Sequence, residues 1–235
     1  MSNRIHPTAV IGDGVELGDR NVVGPYSVIL GPCVLGDDNW IGPHVAIGGP
    51  SEHRDAPHPV AWDGEQDGAG VRIGDHNVIR EFTTISQGFH EPTRIADDCY
   101  VMGRVFIGHD TLVDYGATIT SGVQIGGHCE IWALANLGLG TVVHQHTRIG
   151  PGAMLGMGAV VSREISPFAI AVGCPARVTG VNGVGLRRRG CDETAIAALE
   201  PLVKAGAFDG ARGGNALPDG LPAELVSLLK RWIDR

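Results

Sequence analysis

Aliphatic residues recur at every sixth position along most of this chain, in three runs separated by two interruptions. This period fits neither an α-helix, which repeats about every 3.6 residues, nor a half-buried strand, which alternates. A repeat of six is typical of a parallel β-helix, in which each hexad forms one short face of a coil. The three runs are Ile5, Ile11, Leu17, Val23, Ile29, Leu35, Ile41 and Ile47; Ile73, Ile79 and Ile85; and Ile95, Val101, Ile107, Val113, Ile119, Ile125, Ile131, Leu137, Val143, Ile149, Leu155 and Val161.

Two further positions of the hexad carry small residues. The position after the aliphatic residue is often glycine, which we interpret as a corner that needs unusual backbone angles. The position four after the aliphatic residue is small, which lets the corner pack inward without overfilling the core. The glycines are Gly12, Gly18, Gly24, Gly36, Gly42, Gly74, Gly108, Gly126, Gly150 and Gly156.

Two interruptions and a tail depart from the repeat. Residues 49–70 are rich in Gly, Pro and charge, and residues 86–94 form a shorter break, so both are predicted to be loops leaving the coil. Residues 192–208 and 222–235 have helical spacing, separated by a Gly-rich stretch at 209–221.

The predicted organisation is a β-helix domain over residues 1–172, with a loop insertion at 49–70, followed by an extension and small helical domain over 173–235. Asp192 is the expected N-cap of the first tail helix. The expected fold class is all-β with a small α-helical part at its C-terminal end.

Composition narrows the classes of function. The formal net charge of −8 argues against general nucleic-acid binding. Five cysteines occur without a C-x-x-C pair, and Cys33, Cys99 and Cys129 take the small position of the hexad, so they are expected to fill the core in a reducing compartment. Neither a signal peptide nor a long apolar span is recognised, so we expect a cytoplasmic protein without a membrane span.

Several motifs then follow one another in a specific order: IHPTAV, IGHD, IGGH, VVHQH, GVN and GLRRRG. In this order the chain resembles the UDP-N-acetylglucosamine O-acyltransferase family, the first enzyme of lipid A synthesis, over nearly the whole repeat and the start of the tail. The resemblance implies a left-handed β-helix with three hexads per coil. It also implies a homotrimer with active sites between subunits, which uses an acyl carrier protein or coenzyme A thioester and a nucleotide sugar, without another cofactor or a metal.

Three hexads per coil place equivalent residues of successive coils on one corner. Asp110, His128 and His146 would then stack on successive coils, about 4.8 Å apart, with His109 beside them. A single surface histidine is usually only solvated, but a stacked group of them is typical of a functional site.

The resemblance also implies roles for individual residues. His109 matches the general base, Asp110 the carboxylate that supports it, and Gly127 the glycine whose N–H stabilises the oxyanion. The matched substrate-binding residues are His128, His144, Gln145, Asn182, Arg188 and Arg189. Met157 matches the position that limits acyl length, and we expect it on the same corner as His109, where it favours a short or medium acyl chain.

The sequence departs from the family pattern at several of these places. Phe106 replaces a histidine three residues before the base, Val184 replaces a carboxylate after Asn182, and the sequence at 51–53 replaces the family's Asn-Gln-Asp stretch. The tail is also shorter. These changes leave the acceptor open.

Three other readings stay open at this point. An N-acyltransferase acting on a nucleotide-linked amino sugar would share the fold and a histidine base. A γ-type carbonic anhydrase would need three histidines around zinc, and no third partner is evident for His53 and His58. The chain could also be an inactive paralogue kept as a trimeric binding module.

Overall fold

The computed structural model describes residues 2–58, 67–208 and 217–235. Within these ranges the chain winds into a β-helix whose short strands stack into three sheets, and every strand pairing in the coil is parallel. The second residue of most strands is the aliphatic residue of the hexad, and it points inward: Ile107, Ile125 and Val143 are at most 2% exposed. The predicted fold class, a left-handed parallel β-helix with a small helical part at its C-terminal end, is confirmed.

The three sheets are numbered 1 to 3. Sheet 1 consists of β1 Arg4–Ile5, β4 Val22–Val23, β7 Trp40–Ile41, β10 Val78–Ile79, β13 Tyr100–Val101, β16 Thr118–Ile119, β19 Asn136–Leu137, β22 Met154–Leu155, β24 Ala169–Val172 and the antiparallel β25 Arg177–Val181. Sheet 2 consists of β2 Val10–Ile11, β5 Val28–Ile29, β8 Ala46–Gly49, β11 Thr84–Ser86, β14 Phe106–Ile107, β17 Gln124–Ile125, β20 Val142–Val143 and β23 Val160–Val161. Sheet 3 consists of β3 Val15–Leu17, β6 Cys33–Leu35, β9 Val71–Ile73, β12 Thr93–Ile95, β15 Leu112–Val113, β18 Glu130–Ile131 and β21 Arg148–Ile149.

The strand register advances by three hexads from coil to coil, except at the two interruptions. Tyr100 pairs with Thr118 in the regular part. Trp40 pairs with Val78 across the first interruption, and Val78 pairs with Tyr100 across the second. The strands of sheet 1 therefore stay in register across both interruptions. The irregularity is confined to the ends of β8 and β11, where the register shifts so that Ser86 pairs with Gly49. Residues 59–66 of the first loop lie outside the described residues.

The three corners of the coil carry different side chains, and we name each by its contents. The histidine corner lies between sheets 2 and 3 and carries Asp110, His128 and His146. The aromatic corner lies between sheets 1 and 2 and carries Tyr26, His44 and Phe82. The cavity corner lies between sheets 3 and 1 and carries Gly116, Leu134, Gly152 and Phe168.

The hexad glycines have a different purpose from the one expected. Left-handed backbone angles fall two residues later, as at Asp110 with φ 56° and His128 with φ 58°. At Gly108 and Gly126 an added Cβ would instead lie 2.7 Å from a backbone nitrogen of the next coil. These positions are glycine because adjacent coils approach too closely for a side chain, so the expectation of unusual angles there was wrong.

The cysteines of the small hexad position fill the core, as expected. Cys33, Cys99 and Cys129 are at most 1% exposed, and all five cysteines are free thiols. Burial raises the pKa of the Cys33 and Cys99 thiols to about 12 and that of Cys129 to about 11. These thiols are therefore packing groups rather than nucleophiles.

The tail contains three helices in the described residues: α1 Gly183–Arg188, α2 Glu193–Lys204 and α3 Ala223–Ile233. Asp192 caps α2 by accepting a hydrogen bond from the Ala195 N–H at 2.8 Å, which confirms the expected N-cap. The short helix α1 was not expected, and residues 209–216 of the Gly-rich stretch lie outside the described residues. The domain boundary at residue 172 stays a prediction. None of the described helices has the length and apolar composition needed to cross a membrane.

Candidate active site

The centre of the histidine corner is a short contact between two neighbouring residues. The Nδ1 atom of His109 lies 2.7 Å from Oδ2 of Asp110, and the side chains are 8% and 2% exposed. Asp110 adopts the left-handed conformation at this corner, which places its carboxylate back against the preceding ring. The adjacent pair expected from the sequence is therefore present and buried.

The Asp110 carboxylate also accepts three backbone hydrogen bonds from the second loop. The donors are the N–H groups of Phe89 at 2.8 Å, His90 at 2.7 Å and Glu91 at 2.6 Å. Burial raises the pKa of this carboxyl, but the hydrogen bonds that it accepts outweigh burial and lower the pKa to about 2. The carboxylate is therefore ionised near neutral pH.

This ionisation decides that Nδ1 of the His109 ring carries a proton. An ionised carboxylate can only accept hydrogen bonds, so Nδ1 of His109 must carry the proton that it donates to Asp110. In the neutral form of the ring, the lone pair is then on Nε2. A Cβ atom added at Gly127 would lie 2.6 Å from this Nε2 atom, so the backbone of the next coil passes directly beside it.

His128 and His146 continue the corner on the following coils. Their rings stack at 4.5 Å with an interplanar angle of 5°, and the His128 ring meets His109 edge-on at 4.9 Å. Burial lowers the pKa of His128, which favours its neutral form. The predicted grouping of His109, Asp110, Gly127 and His128 is thus observed.

Two loop histidines join this group. His53 belongs to the stretch that replaces the family's Asn-Gln-Asp, whereas His90 was not expected there. His53 stacks on Phe89 at 4.5 Å and meets the His109 ring edge-on at 5.9 Å. His90 lies 6.1 Å from His128, with the two rings 30° from parallel. The loops also contact each other, because the Ser51 hydroxyl donates to the Gln87 carbonyl at 2.7 Å.

The predicted tail residues lie together on another corner. Asn182, Arg188 and Arg189 line a cavity of about 450 Å³ beside sheet 1 and the cavity corner. The Asn182 side chain caps α1 by accepting from the Gly185 N–H at 3.0 Å, and it donates to the Gly152 carbonyl at 2.9 Å. Both arginines are exposed, and Nη1 of Arg189 lies 3.5 Å from Oε1 of Glu224. In a single chain this cavity is separate from the histidine corner.

The remaining predicted residues lie at the surface. His144 and Gln145 are exposed on the coil after Gly127, and His144 Nδ1 lies 3.0 Å from the Gln145 carbonyl. Met157 is 77% exposed and stacks beyond Leu139 on the aromatic corner, where Gly158 N–H donates to the Leu139 carbonyl. The expected place of Met157 on the His109 corner was wrong, because Met157 follows Gln145 by two hexads and therefore lies on another corner.

One group in the described residues could hold a metal ion. A ligand atom from each of His109, Asp110 and His128 lies within 4.8 Å of the others. Both Asp110 oxygens already accept hydrogen bonds, however, so two imidazoles would remain, fewer than the three protein ligands of a catalytic zinc site. The expectation of no metal stays a prediction.

Comparison with known proteins places this chain in a family. Residues 164–212 match the family model described as UDP N-acetylglucosamine O-acyltransferase, domain 2. An acyl-[acyl-carrier-protein]–UDP-N-acetylglucosamine O-acyltransferase of Thiobacillus denitrificans is 42% identical over 215 residues, covering 85% of this chain and 83% of that protein. The chain belongs to the UDP-N-acetylglucosamine O-acyltransferase family.

Other members of the family agree. The enzyme of the same name from Burkholderia thailandensis is 45% identical over 130 residues, which are 54% of this chain and 50% of that protein. The solved UDP-N-acetylglucosamine acyltransferase from Campylobacter jejuni superposes with a TM-score of 0.73 at 26% identity, covering 99% of this chain and 96% of that one. As a member of this acyltransferase family, the chain is an enzyme that transfers acyl groups.

Phe89 and His90 of this candidate site were not predicted from the sequence, and His53 was noted within the stretch that replaces the family's Asn-Gln-Asp. Strand register held the signal that could have found them. The loops at 49–70 and 86–94 follow Ile47 and Ile85, which stack in sheet 2 with Ile107, so both loops must leave at the histidine corner.

Proposed function

We propose that this chain transfers an acyl group from a carrier thioester to a hydroxyl of UDP-N-acetylglucosamine or a closely similar nucleotide sugar, with His109 as general base. The observation that carries the proposal is the hydrogen bond from His109 Nδ1 to an ionised Asp110, which leaves Nε2 as a proton acceptor beside Gly127. The names of the relatives favour acyl carrier protein over coenzyme A as the donor's carrier, and a place in lipid A synthesis follows from the same reaction.

The reaction needs one proton acceptor and one stabiliser of negative charge. His109 Nε2 takes the proton of the sugar hydroxyl as its oxygen attacks the thioester carbonyl, and the carbonyl oxygen becomes an oxyanion. The tetrahedral intermediate then collapses, the carbon–sulfur bond breaks, and the leaving thiolate receives the proton from the His109 imidazolium. Asp110 stabilises that imidazolium through the Nδ1–H bond.

Gly127 is the proposed oxyanion donor. Its carbonyl accepts from the His146 N–H at 3.0 Å, whereas within the described residues its own N–H has no hydrogen-bond acceptor. A free N–H beside the base is suited to an oxyanion, because a preorganised donor in a buried site costs no rearrangement during the reaction.

The two halves of the proposed site come from different copies of the chain. Sheet 3 carries outward charges such as Arg72, Arg94, Glu130 and Arg148, whereas outward charge on the coil strands of sheets 1 and 2 is limited, among the described residues, to Arg4. Sheets 1 and 2 are therefore the surfaces that association can cover at the lower cost of desolvation.

This distribution favours a homotrimer with the aromatic corner nearest its axis. Sheet 2 of one copy would then face sheet 1 of the next. The outer edge of sheet 2 is the histidine corner and the outer edge of sheet 1 is the cavity corner. The arrangement brings His109 of one copy towards Arg188 and Arg189 of its neighbour, where forked guanidinium donors suit a diphosphate.

The test is His109→Ala, assayed with an acyl-carrier-protein donor and UDP-N-acetylglucosamine. We expect turnover to fall by a factor on the order of 10² to 10⁴, the usual contribution of a general base. The melting temperature should hold, because the ring lies outside the aliphatic core. Turnover close to that of the wild type would remove His109 from the mechanism.

A further inference from the structure

The second loop is tied to the base by one side chain. Asp110 accepts hydrogen bonds from three successive backbone N–H groups, those of Phe89, His90 and Glu91, at 2.6–2.8 Å. The same carboxylate accepts the His109 Nδ1 proton at 2.7 Å. Asp110 therefore fixes the turn at residues 89–91 relative to the base, and either contact constrains the other.

The turn at residues 89–91 also holds a second imidazole, that of His53, against the base. Phe89 is half-buried, and the His53 ring stacks on it at 4.5 Å with an interplanar angle of 17°. His53 then meets His109 edge-on, at 5.9 Å and 83°. The Asp55 N–H donates to His53 Nδ1 at 3.2 Å, which fixes how this ring is turned.

The base needs this contact because a single hydrogen bond does not hold a planar ring. The bond from Nδ1 to Asp110 fixes one end of the His109 ring but permits tilting about that bond. The backbone of Gly127 encloses the ring on one side, because a Cβ atom added at Gly127 would lie 2.6–3.0 Å from three atoms of the His109 ring. The edge contact from His53 restricts the tilt further, and displacements of about 1 Å can cost on the order of 100-fold in rate.

We propose that Asp110 is a positioning residue for two imidazoles: it orients His109 directly, and through the Phe89 turn it holds His53 edge-on against His109. The inference rests on the proposed function in that His109 is the base. It gives His53 and Phe89 a place in the reaction without contact to the reacting atoms. The expected signature is a loss in kcat with little change in the KM for the nucleotide sugar.

The first experiment compares His53→Ala and Phe89→Ala with a matched control. Each should lower kcat by about 10- to 100-fold, since a displacement of the base by about 1 Å can cost on the order of 100-fold in rate. His58→Ala is the control, since His58 lies in the same loop, is exposed, and has its Nδ1 atom 3.0 Å from the Ala56 carbonyl. Its kcat should equal that of the wild type.

Two further variants separate positioning from other roles. His53→Phe keeps a flat ring on Phe89 without a titratable nitrogen, so it should restore most of the kcat lost in His53→Ala. The double variant Phe89→Ala/His53→Ala should be no slower than the slower single variant, because both act through one contact. Failure of His53→Phe to recover activity, or additive losses in the double variant, would overturn the proposal.

Hydrogen exchange tests the link from Asp110 to the turn directly. Asp110→Asn replaces an acceptor-only group by one that also donates, so the amides of residues 89–91 should exchange at least about tenfold faster than in the wild type. Unchanged exchange would refute the link. Loss of turnover in His109→Ala with wild-type kcat in His53→Ala would reject this inference alone, whereas an active His109→Ala would reject the base itself.

Discussion

The histidine corner and the aromatic corner share one backbone geometry but differ in what surrounds them. His128 and His146 stack at 4.5 Å on left-handed residues, and His44 and Phe82 stack at 5.1 Å in the same conformation. At the aromatic corner Phe82 stays 53% exposed, whereas His109 at the other corner is 6% exposed. The coil thus stacks rings wherever the sequence supplies them.

The buried, hydrogen-bonded pair of His109 and Asp110 lies where the loops join the coil. Both loops leave the coil at the histidine corner. Burial raises the pKa of Asp110, but three backbone donors of the second loop, together with His109, lower it to about 2. The aromatic corner receives no insertion in the described residues, and its rings remain available for another copy of the chain. The difference teaches that burial and hydrogen bonding, rather than ring stacking, distinguish a site from a surface on this fold.

The largest expected effect tests how closely the base is enclosed. Gly127→Ala would place a methyl group 2.6 Å from His109 Nε2, so the ring, or the Gly127 N–H that we propose as the oxyanion donor, must move. We expect kcat to fall by a factor on the order of 10² to 10³. Gly180→Ala is the control, since a Cβ there meets nothing within 4 Å. Steady-state kinetics measure kcat for both variants. Equal kcat values would show that the close approach of Gly127 to His109 does not affect turnover.

The second prediction concerns the aromatic corner. Phe82→Asp keeps a residue that tolerates the left-handed conformation but puts a charge at the proposed trimer axis. We expect light scattering to show dissociation, and activity to fall about tenfold or more at low protein concentration because the proposed site needs two copies. If Phe82→Asp stays a trimer with wild-type activity, the proposed trimer axis does not lie at this corner.

The third prediction concerns acyl length. Met157 lies on the aromatic corner, at the inner edge of sheets 1 and 2. In the proposed trimer, an acyl chain that runs inward between these sheets from the histidine corner would reach it. Met157→Gly should shift preference towards longer donors, by about 0.8 kcal/mol, or roughly fourfold, for each extra buried methylene. Competition between donors of increasing length measures this. An unmoved preference would leave Met157 as a surface residue without a role in selecting the donor.

The smallest expected effect is on stability in acid. The folded-state pKa of Asp110, about 2, lies below its ordinary value of 3.8, so the carboxylate stabilises the fold above that value and loses the contribution as pH falls towards 2. The melting temperature of the wild type should exceed that of Asp110→Asn by a few degrees near neutral pH. The gap should narrow between about pH 4 and pH 2, and a constant gap would contradict the ionised pair.

The fold could be predicted because its core is a one-dimensional pattern. Each inward aliphatic residue follows the previous one by six, and the pairing of Ile107 with Ile125 follows from the same count. The stacking of His128 on His146 follows from it as well. Met157 was misplaced only because the count of hexads around the coil was not carried through.

The contacts of the loops could not be predicted in this way. The path of a loop depends on which backbone groups find partners, and no period records that Asp110 would accept three N–H groups from residues 89–91. The contact of His53 with His109 depends on the position of that turn. Helix α1 was missed because its six residues are too short for a clear amphipathic pattern.

The register across the two interruptions has a consequence for how this enzyme can be changed. Val78 pairs with Trp40 on one side and Tyr100 on the other, although a loop is inserted between the strands of each pair. The strands therefore carry the alignment, and the loops can be exchanged. Replacing residues 49–70 and 86–94 together with those of another family member should yield a folded chimaera with altered acceptor choice. Exchanging the first loop alone for one without a donor at position 51 would remove the hydrogen bond from the Ser51 hydroxyl to the Gln87 carbonyl.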